Sequence, residues 1–524
     1  MQIRRPARVD WFDLAVLAVF ALVSVWVLGL DVWQVAVNGR HWAGTDGPFL
    51  TDQMQYLAWI QDASRHVLVS DLFVLHSTPH DYFQPLVVVS AGFTAAGLAP
   101  WLVFLLWKPV AVLITFFVVR AYVRRCLATR WQRRAALVLA LFFGSWGVLG
   151  DLWLPFLSWG YPFALIAIAA MVGALLLYDR ARVENRFSWG PPVLGALASS
   201  LHPWQGEVLI LTVIAAEVLG YGRGGDAQRG WRSWTLPAAT VFATGVPLAY
   251  LVILGRIDLA WRLARVASHH SYPLAPIALA LAPLLLLAVL AYRSRPHGFI
   301  AVATRLWPAA ALAVYGLSAT GLSATPLHAF GGITIPLAIL GVEGLRLVRW
   351  QRVPGHRALA VLVVAAFAIP ATVYEMSVGR DYVSPAQANA NFISSDMRRA
   401  LDYLSDDREP GGVLTRAYLG VIVPGKTGRR TYIGGCQWSQ PNCEGRVNGV
   451  KSLFTGSLTP PAADAFVLGT RARFVLEGCN WGNLDHTLAA ITDSIHRFGC
   501  ATVYEVGAPG HSDSSDRAGT ASTP

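Results

Sequence analysis

Long apolar runs constrain this chain more than any other feature of its sequence. Of its 524 residues, 54% are hydrophobic and only 14% are charged, which lies outside the usual range of a soluble globular domain. A bilayer core requires about 20 apolar residues for a helical span, and shorter runs can pair as half-spans. Eleven such runs lie near 12–30, 101–120, 135–150, 160–178, 191–201, 204–220, 235–254, 274–291, 306–322, 330–348 and 358–376. The sequence therefore predicts a polytopic α-helical membrane protein with about eleven transmembrane helices.

The distribution of basic residues orients these spans. The net charge is +11, which by itself would allow an anionic partner such as nucleic acid. With the N-terminus in the cytoplasm, the inner segments hold 22 arginines, whereas the outer loops before residue 377 hold five. Because positive residues concentrate on the cytoplasmic side of membrane proteins, the basicity is explained by topology, and we expect no nucleic-acid partner.

Three zones follow from this topology. The first run has no convincing cleavage site after it, so we expect it to remain as the first span. Residues 1–376 form the transmembrane region, which includes a large outer loop at 31–100. In that loop we expect 51–63 to be an amphipathic interfacial helix and 85–99 a re-entrant or surface-lying helix. Residues 377–507 form an extracytoplasmic α/β domain.

The C-terminal end of the chain is mixed in character. SSDMRRALDYLSDD predicts a helix, whereas GGVLTRAY, RRTYIGG, ARFVLEG and ATVYEV predict strands separated by turns. The polar tail at 508–524 is predicted to be disordered. GVIVPGKT, at 420–427, matches the pattern of a phosphate-binding loop, but its stiff residues and the turn and strand predicted after it indicate a chance match.

Cysteine placement supports an oxidising location for the C-terminal domain. Four of the five cysteines lie there, and their spacing lacks the C-x-x-C pattern of a zinc knuckle. Four cysteines permit three connectivities, and pairing of sequence neighbours predicts disulfides Cys436–Cys443 and Cys479–Cys500.

The stretch TDQMQYLAWIQDA, at 51–63, places an acid and a tyrosine one helical turn apart just beyond the first span. Asp52 could serve only as a helix cap, with Gln55 in the reciprocal position of a capping box. A second acidic residue favours a functional role for Asp52. Asp151 follows the third span and is the only acid of the next outer loop, so the bundle can bring both carboxylates together.

These residues resemble the C-type glycosyltransferase superfamily, which includes bacterial aminoarabinose transferases and protein O-mannosyltransferases. The likeness rests on Asp52 and Tyr56 in a long first outer loop, on Asp151 in the next loop, and on an exterior domain after the last span. Two features depart from the usual pattern. An acidic pair is usual at the first site, whereas here Asp52 is followed by Gln53. The segment CQWSQPNC takes the place of an aromatic-rich segment.

The resemblance implies transfer of a sugar from a polyprenyl phosphate or diphosphate to an acceptor hydroxyl. It implies Asp52 as general base, with Asp151 as the second catalytic acid that positions the acceptor or a divalent cation. No metal site is clearly encoded. Residues predicted to bind phosphate or sugar are Tyr56, Lys108, His202, His328 and Arg256. Weaker candidates are Glu207 and an outer basic strip of Arg262, Arg265, His269 and His270.

The sequence thus predicts a glycosyltransferase of the bacterial plasma membrane that acts on a cell-envelope acceptor at the outer face. Its expected partners are the polyprenyl-phosphate-linked sugar, membrane lipids and that acceptor. Two other functions remain open at this stage. A transporter or lipid flippase would use ionisable residues such as Lys108 and Glu207 within broken helices. A non-catalytic homologue would use the exterior domain to bind cell-wall polymer or a partner protein.

Overall fold

The computed structural model describes residues 10–47, 49–144, 150–221, 234–270, 272–320, 325–347, 355–384, 390–479 and 482–507. Its helices are α1 (Trp11–Ser24), α2 (Trp26–Asn38), α3 (Leu50–His66), α4 (Pro85–Ala95), α5 (Pro100–Cys126), α6 (Arg130–Phe142), α7 (Leu154–Gly160), α8 (Pro162–Val183), α9 (Gly190–Leu201), α10 (Pro203–Tyr221), α11 (Thr235–Ile257), α12 (Leu259–Ala267), α13 (Leu274–Ala291), α14 (Phe299–Ala319), α15 (Thr334–Leu347), α16 (His356–Val383), α17 (Ser395–Asp406), α18 (Ala417–Gly420), α19 (Val423–Thr427), α20 (Cys443–Phe454) and α21 (Pro460–Thr470). Short 3-10 turns cover Gly150–Leu152 and Pro326–Phe330. The strands are β1 (His41–Trp42), β2 (Phe392–Ile393), β3 (Val413–Leu414), β4 (Phe474–Glu477), β5 (Thr492–Phe498) and β6 (Ala501–Val506).

Each of the eleven predicted runs coincides with a helix, but fewer have the length and apolarity of a full span. Among the described residues six helices qualify, or seven if α1 and α2, which meet at a 47° bend, form one span. The six are α5, α8, α11, α13, α14 and α16. Helices α6, α9 and α15 have 13, 12 and 14 residues, too few to cross a bilayer of about 30 Å alone. The predicted number of eleven full spans is therefore not confirmed.

Burial varies around the bundle as expected for helices in lipid. The apolar part of α8 is 89% buried and forms the centre of the bundle, whereas that of α16 is only 17% buried. Outward-facing apolar side chains are strongly exposed, among them Phe242 at 75%, Leu286 at 72% and Val361 at 68%. Wide apolar surfaces of this kind are unfavourable in water and suit contact with acyl chains.

The segments predicted to be cytoplasmic meet at one end of the bundle. Asp13 of α1 pairs with Arg120 and Arg124 of α5 at 2.5 and 2.6 Å. Asp179 near the end of α8 pairs with Arg125 at 2.6 Å. The convergence of these charges agrees with one common side for the N-terminal segment and for the second and fourth predicted connections, 120–134 and 179–190.

Helix α3 lies between the bundle and the C-terminal region. It packs against α4 and α5 on one side and against α19 on the other. Met54, Leu57 and Ile60 are almost fully buried, and so are the polar residues Gln53 and Asp62. The prediction of a helix at 51–63 is confirmed. Protein covers the helix on several faces, and its placement at the membrane interface stays a prediction. Helix α4, with 11 residues, is a short apolar helix, as expected for 85–99.

The C-terminal region contains a four-stranded sheet in the order β3-β4-β6-β5, in which only the β3–β4 pair is parallel. The strands predicted in ARFVLEG and ATVYEV correspond to β4 and β6. The strand predicted in GGVLTRAY is limited to the two residues of β3, and α18 follows it. The segment RRTYIGG forms a single β-bridge, from Thr431 to Val413, where a strand was predicted. Strand β5 was not predicted. The predicted helix over SSDMRRALDYLSDD is α17, whose first turn is capped by the Ser394 hydroxyl.

The first outer loop and the C-terminal region are joined directly. Strand β1 pairs antiparallel with β2, so the chain after α2 is hydrogen-bonded to the chain after α16. Both predicted disulfides are present, with Cα–Cα distances of 5.3 Å for Cys436–Cys443 and 4.6 Å for Cys479–Cys500. Helix α16 continues to Val383, past the predicted domain boundary at 376. The tail at 508–524 lies outside the described residues.

GVIVPGKT is not a strand-to-helix phosphate loop. It follows α18 and contains the five-residue α19, which packs against α3. A Cβ at Gly425 would lie 3.0 Å from Cβ of Leu57, so this glycine permits close approach of the two helices.

Candidate active site

Asp52 lies in the first turn of α3, with its carboxylate facing the start of α8. The hydroxyl of Tyr161 donates a hydrogen bond to Oδ2 of Asp52. The residue in the N-cap position of α3 is Phe49, and no side chain caps this helix end. Gln55 accepts a hydrogen bond from the indole of Trp438 instead of closing a capping box. Phe49 therefore takes the N-cap position predicted for Asp52, and a role of Asp52 beyond the helix end stays a prediction.

Tyr161 is held in place by the local structure of the second outer loop. It follows α7 and directly precedes Pro162, the first residue of α8. A proline at the first helical position fixes the turn that enters the helix. The Tyr161 ring also packs against Phe49, with ring centroids 4.4 Å apart. Sequence reasoning did not single out this tyrosine, although an aromatic residue before the helix-starting proline of the Asp151 loop was a usable signal.

The two predicted histidines lie together beside Tyr161. The rings of His202 and His328 are 5.0 Å apart, and the Trp204 ring packs against both, at 4.6 and 4.7 Å. The Tyr161 ring lies 6.5 Å from that of His328. Gln205 links the pair, because its side chain contacts the His202 ring and donates to the His328 carbonyl at 3.3 Å. The structure thus brings Asp52, His202 and His328 into one group through Tyr161.

Both imidazoles are kept neutral by their surroundings. Burial, followed by the nearby His328 charge, lowers the pKa of His202 to about 3. Burial lowers the pKa of His328 to about 4. At neutral pH each ring therefore offers one N–H donor and one acceptor nitrogen. Nδ1–H of His202 donates to Oε1 of Gln205, so Nε2 of this ring can only accept, for example from a sugar hydroxyl. His328 can donate to a phosphate oxygen, and neither ring adds a positive charge.

The segment that carries Asp151 lies next to this group. The 3-10 turn Gly150–Leu152 packs against the turn Pro326–Phe330, which contains His328. The side chain of Asp151 lies outside the described residues, so its predicted pairing with Asp52 stays a prediction.

Tyr56 lies one turn further along α3 in an aromatic cluster. Its ring packs against Trp59, Phe104 and Phe163 at 5.4, 5.6 and 5.1 Å. Burial raises the pKa of its hydroxyl, and the Asp52 charge raises it further. Tyr56 therefore supports the α3 face that carries Asp52, and its predicted contact with substrate stays a prediction.

Lys108 is surrounded by partners from its own chain. Its ammonium forms an ion pair with Asp46 and donates to the carbonyl oxygens of Ser158 and Trp159 at 2.8 and 3.1 Å. Only 2% of the Lys108 side chain is exposed. These contacts tie the first outer loop to α5 and the end of α7, which is a structural role. Phosphate binding by Lys108 stays a prediction.

Gln53, which stands where the resemblance predicts the second acid of a pair, hydrogen-bonds to the backbone of Asp46. Its amide donates to the Asp46 carbonyl at 2.5 Å and accepts from the Asp46 N–H at 3.1 Å. An amide has both a donor and an acceptor, which a carboxylate cannot supply. The substitution therefore shapes the loop that pairs with Lys108.

The second departure, CQWSQPNC, also reaches α3. Its Trp438 donates to Gln55 and packs against the rings of Trp59 and Trp261, at 5.4 and 4.7 Å. The segment replaces an aromatic-rich region with one tryptophan anchored by the Cys436–Cys443 disulfide.

The remaining predicted residues are less closely connected. Arg256 is exposed on the last turn of α11, and within the described ranges no recorded contact joins it to Asp52 or the two histidines. Arg262 and Arg265 are exposed on α12. Glu207 is half-buried near the start of α10, and no hydrogen bond to its Oε2 occurs among the described residues.

Side chains that could hold a metal ion lie in two other places of the described structure. Among the described residues, two groups of three such side chains have their ligand atoms close together, and neither contains Asp52. One is Asp62, His66 and His80; the other includes the disulfide Cys479–Cys500.

Solved structures with a similar fold include an oligosaccharyltransferase and ArnT. Archaeal oligosaccharyltransferase AglB from Archaeoglobus fulgidus, in complex with an inhibitory peptide and a dolichol-phosphate, has a TM-score of 0.55 and 15% identity over 89% of this chain and 70% of that chain. ArnT from Cupriavidus metallidurans bound to undecaprenyl phosphate has a TM-score of 0.50 and 14% identity, covering 94% of this chain and 97% of that chain. No protein-family model and no curated protein sequence matches the chain. At this identity the likeness concerns the fold, and it confirms the resemblance predicted from the first outer loop: the chain has the C-type glycosyltransferase fold.

Proposed function

We propose that the protein is a membrane glycosyltransferase that moves a sugar from a polyprenyl-phosphate-linked donor to an acceptor hydroxyl of the cell envelope. The observation that carries this proposal is the convergence of Asp52, Tyr161, His202 and His328 from separate outer segments. A carboxylate beside two neutral imidazoles supplies a proton acceptor next to a hydrogen-bond donor for a phosphate, His328, and an acceptor for a sugar hydroxyl, His202.

In the proposed reaction the acceptor oxygen attacks the anomeric carbon of the sugar from the face opposite the phosphate. The bond from the anomeric carbon to the phosphate oxygen breaks, and its electron pair leaves with the polyprenyl phosphate. Asp52 takes the proton of the acceptor hydroxyl as the new bond forms. Tyr161 orients the carboxylate, His328 donates a hydrogen bond to the leaving phosphate, and Nε2 of His202 accepts one from a sugar hydroxyl.

The choice of donor follows from the structures of similar fold. Complexes of AglB with a dolichol-phosphate and of ArnT with undecaprenyl phosphate support a polyprenyl phosphate carrier here. The action is proposed for the outer face of the bacterial plasma membrane, with residues 377–507 outside. Ala128→Cys and Asp406→Cys, both at exposed positions, test that orientation. An impermeant thiol reagent on intact cells should label the second position only, and labelling of the first alone would reverse the topology.

The two other functions have less support from the site. Lys108, on which a transport function would partly rest, is already paired with Asp46. Gln53, which could indicate lost activity, has a structural partner in the Asp46 backbone. Neither observation favours a transporter or a non-catalytic homologue over an enzyme.

The test measures released polyprenyl phosphate, a product that is the same whichever sugar is transferred. Purified protein in nanodiscs is incubated with a panel of polyprenyl-phosphate sugars and a cell-envelope extract, and released polyprenyl phosphate is measured by mass spectrometry. We expect acceptor-dependent release that Asp52→Asn abolishes and Asp406→Asn, an exposed control, leaves unchanged. Equal amounts of released polyprenyl phosphate from the Asp52→Asn and Asp406→Asn variants would overturn the proposal.

A further inference from the structure

A second group of reactive side chains lies at the opposite end of α3 from Asp52. Oδ1 of Asp62 is 3.0 Å from Nδ1 of His66 and 3.3 Å from Nε2 of His80. The three atoms all lie within 4.8 Å of one another, and the two imidazole rings are 4.0 Å apart. None of these residues takes part in the proposed transfer reaction.

The local structure explains why the three residues meet. Asp62 and His66 are four residues apart near the end of α3, so they share one face of the helix. The chain leaves the helix at Val67, whose φ is 69°. It returns through an antiparallel bridge between Val69 and Tyr82, which places His80 beside the helix end.

The carboxylate is held in a fixed orientation. Oδ2 of Asp62 accepts hydrogen bonds from the N–H and the hydroxyl of Ser70, at 2.7 and 3.0 Å. Oδ1 is thereby directed toward the histidines. The side chain of Asp62 is 5% exposed, whereas those of His66 and His80 are 48% and 32% exposed. Supporting hydrogen bonds to a ligating carboxylate are typical of metal sites, and the exposed imidazoles leave a path from solvent.

The spacing matches that of a tetrahedral metal centre. Bonds of about 2.0 Å from zinc to nitrogen and oxygen place neighbouring ligand atoms about 3.3 Å apart at the tetrahedral angle. The two observed separations of 3.0 and 3.3 Å agree with that value. Two imidazoles and one carboxylate suit Zn²⁺, and three protein ligands leave a fourth position for water.

We propose that Asp62, His66 and His80 form a Zn²⁺ site that fastens the loop 67–80 to the end of α3. Arg430, from the C-terminal region, lies against this loop and donates to the carbonyls of Asp71 and His76 at 2.6 and 2.9 Å. Its hydrogen bond to the Ser70 hydroxyl, at 3.3 Å, brings a positive charge to the support of Asp62 and reduces the affinity for the cation. The site anchors the helix whose first turn carries Asp52, and it is independent of the proposed transfer reaction.

The experiment measures zinc binding to the full-length protein. Protein in detergent is stripped with a chelator, titrated with Zn²⁺ by equilibrium dialysis, and analysed by elemental mass spectrometry. We expect the double variant His66→Gln, His80→Gln to bind one equivalent fewer than wild type. Glutamine keeps a hydrogen-bond donor for Asp62 and so preserves the loop. His486→Gln, at an exposed histidine outside the group, should keep the wild-type stoichiometry.

Two further measurements make the result independent of how well the double variant folds. Ser70→Ala removes one support of the carboxylate and should weaken binding about 10-fold, at the low end of the 10–100-fold range for outer-shell partners. Co²⁺ added to the stripped wild type should give the visible absorption of a four- or five-coordinate centre, and Zn²⁺ should displace it. Equal zinc stoichiometry in the wild type and the double variant, or a Co²⁺ spectrum unchanged from that of the free ion, would overturn the proposal.

Discussion

Replacing Asp52 by asparagine separates the catalytic role of the carboxylate from its structural role. Asparagine retains an acceptor for the Tyr161 hydroxyl, and no capping bond is lost because Phe49, in the N-cap position, has no side-chain cap. Loss of the charge from the first turn of α3 removes a favourable helix-dipole interaction of about 0.3–1 kcal/mol. Exchange of a charged for a neutral hydrogen-bond acceptor costs about 1 kcal/mol more. We therefore expect the free energy of unfolding to fall by only about 1–2 kcal/mol.

The effect on catalysis should be much larger. Loss of general-base assistance lowers rates by about 10²–10⁴-fold, which corresponds to about 3–5 kcal/mol in the activation free energy. The assay compares the transfer rate with thermal unfolding for purified Asp52→Asn and Asp52→Ala in nanodiscs. Tyr161→Phe, which keeps the ring packing against Phe49 and removes the hydroxyl, should lower the rate less than Asp52→Asn. A folded Asp52→Asn protein with wild-type turnover would refute the assignment of the base.

Three further predictions concern stability. Lys108→Met should lower the free energy of unfolding by about 3–5 kcal/mol, because it leaves Asp46 buried without its cation; a loss below about 1 kcal/mol in chemical unfolding would contradict this. The pKa of His328 falls from 6.5 unfolded to about 4 folded, so the unfolded state binds more protons and stability should decline as pH falls through that window. His328→Asn should reduce this pH dependence of the melting temperature, and an unchanged slope would contradict it. Selective removal of Cys479–Cys500 by a double serine variant should cost about 3 kcal/mol, measured by chemical unfolding, and an unchanged midpoint would count against a stabilising crosslink.

The membrane region was largely predictable because apolar periodicity and charge act locally. Every predicted run coincides with a helix, but a run does not reveal whether its helix crosses the bilayer fully. Helix α9 ends at Leu201 and α10 starts again at Pro203, in agreement with the separate runs predicted at 191–201 and 204–220. Whether such a pair of helices crosses the bilayer depends on packing between distant helices, which a single run does not encode. The same applies to α3, whose apolar face indicated an interface although protein covers it on several sides.

The candidate site was predicted in part. Asp52, His202 and His328 were identified from their positions at outer turns, and the fold does bring them together. Their connection through Tyr161 was not predicted because it depends on where α7 ends relative to α3. Lys108 was recognised as unusual within an apolar helix, but its partner Asp46 lies 62 residues away in the chain, and no local pattern links them.

The most direct test of the account is a cryo-electron microscopy map of the protein in nanodiscs with an added polyprenyl phosphate. The account predicts density for the phosphate within hydrogen-bond distance of His328 and beside Asp52. A second place for a lipid is a groove of about 1080 Å³ between α1, α6 and α16, which is lined by apolar residues together with Arg130 and Arg134. Phosphate density in that groove, with none beside the histidines, would contradict the assignment of the transfer site.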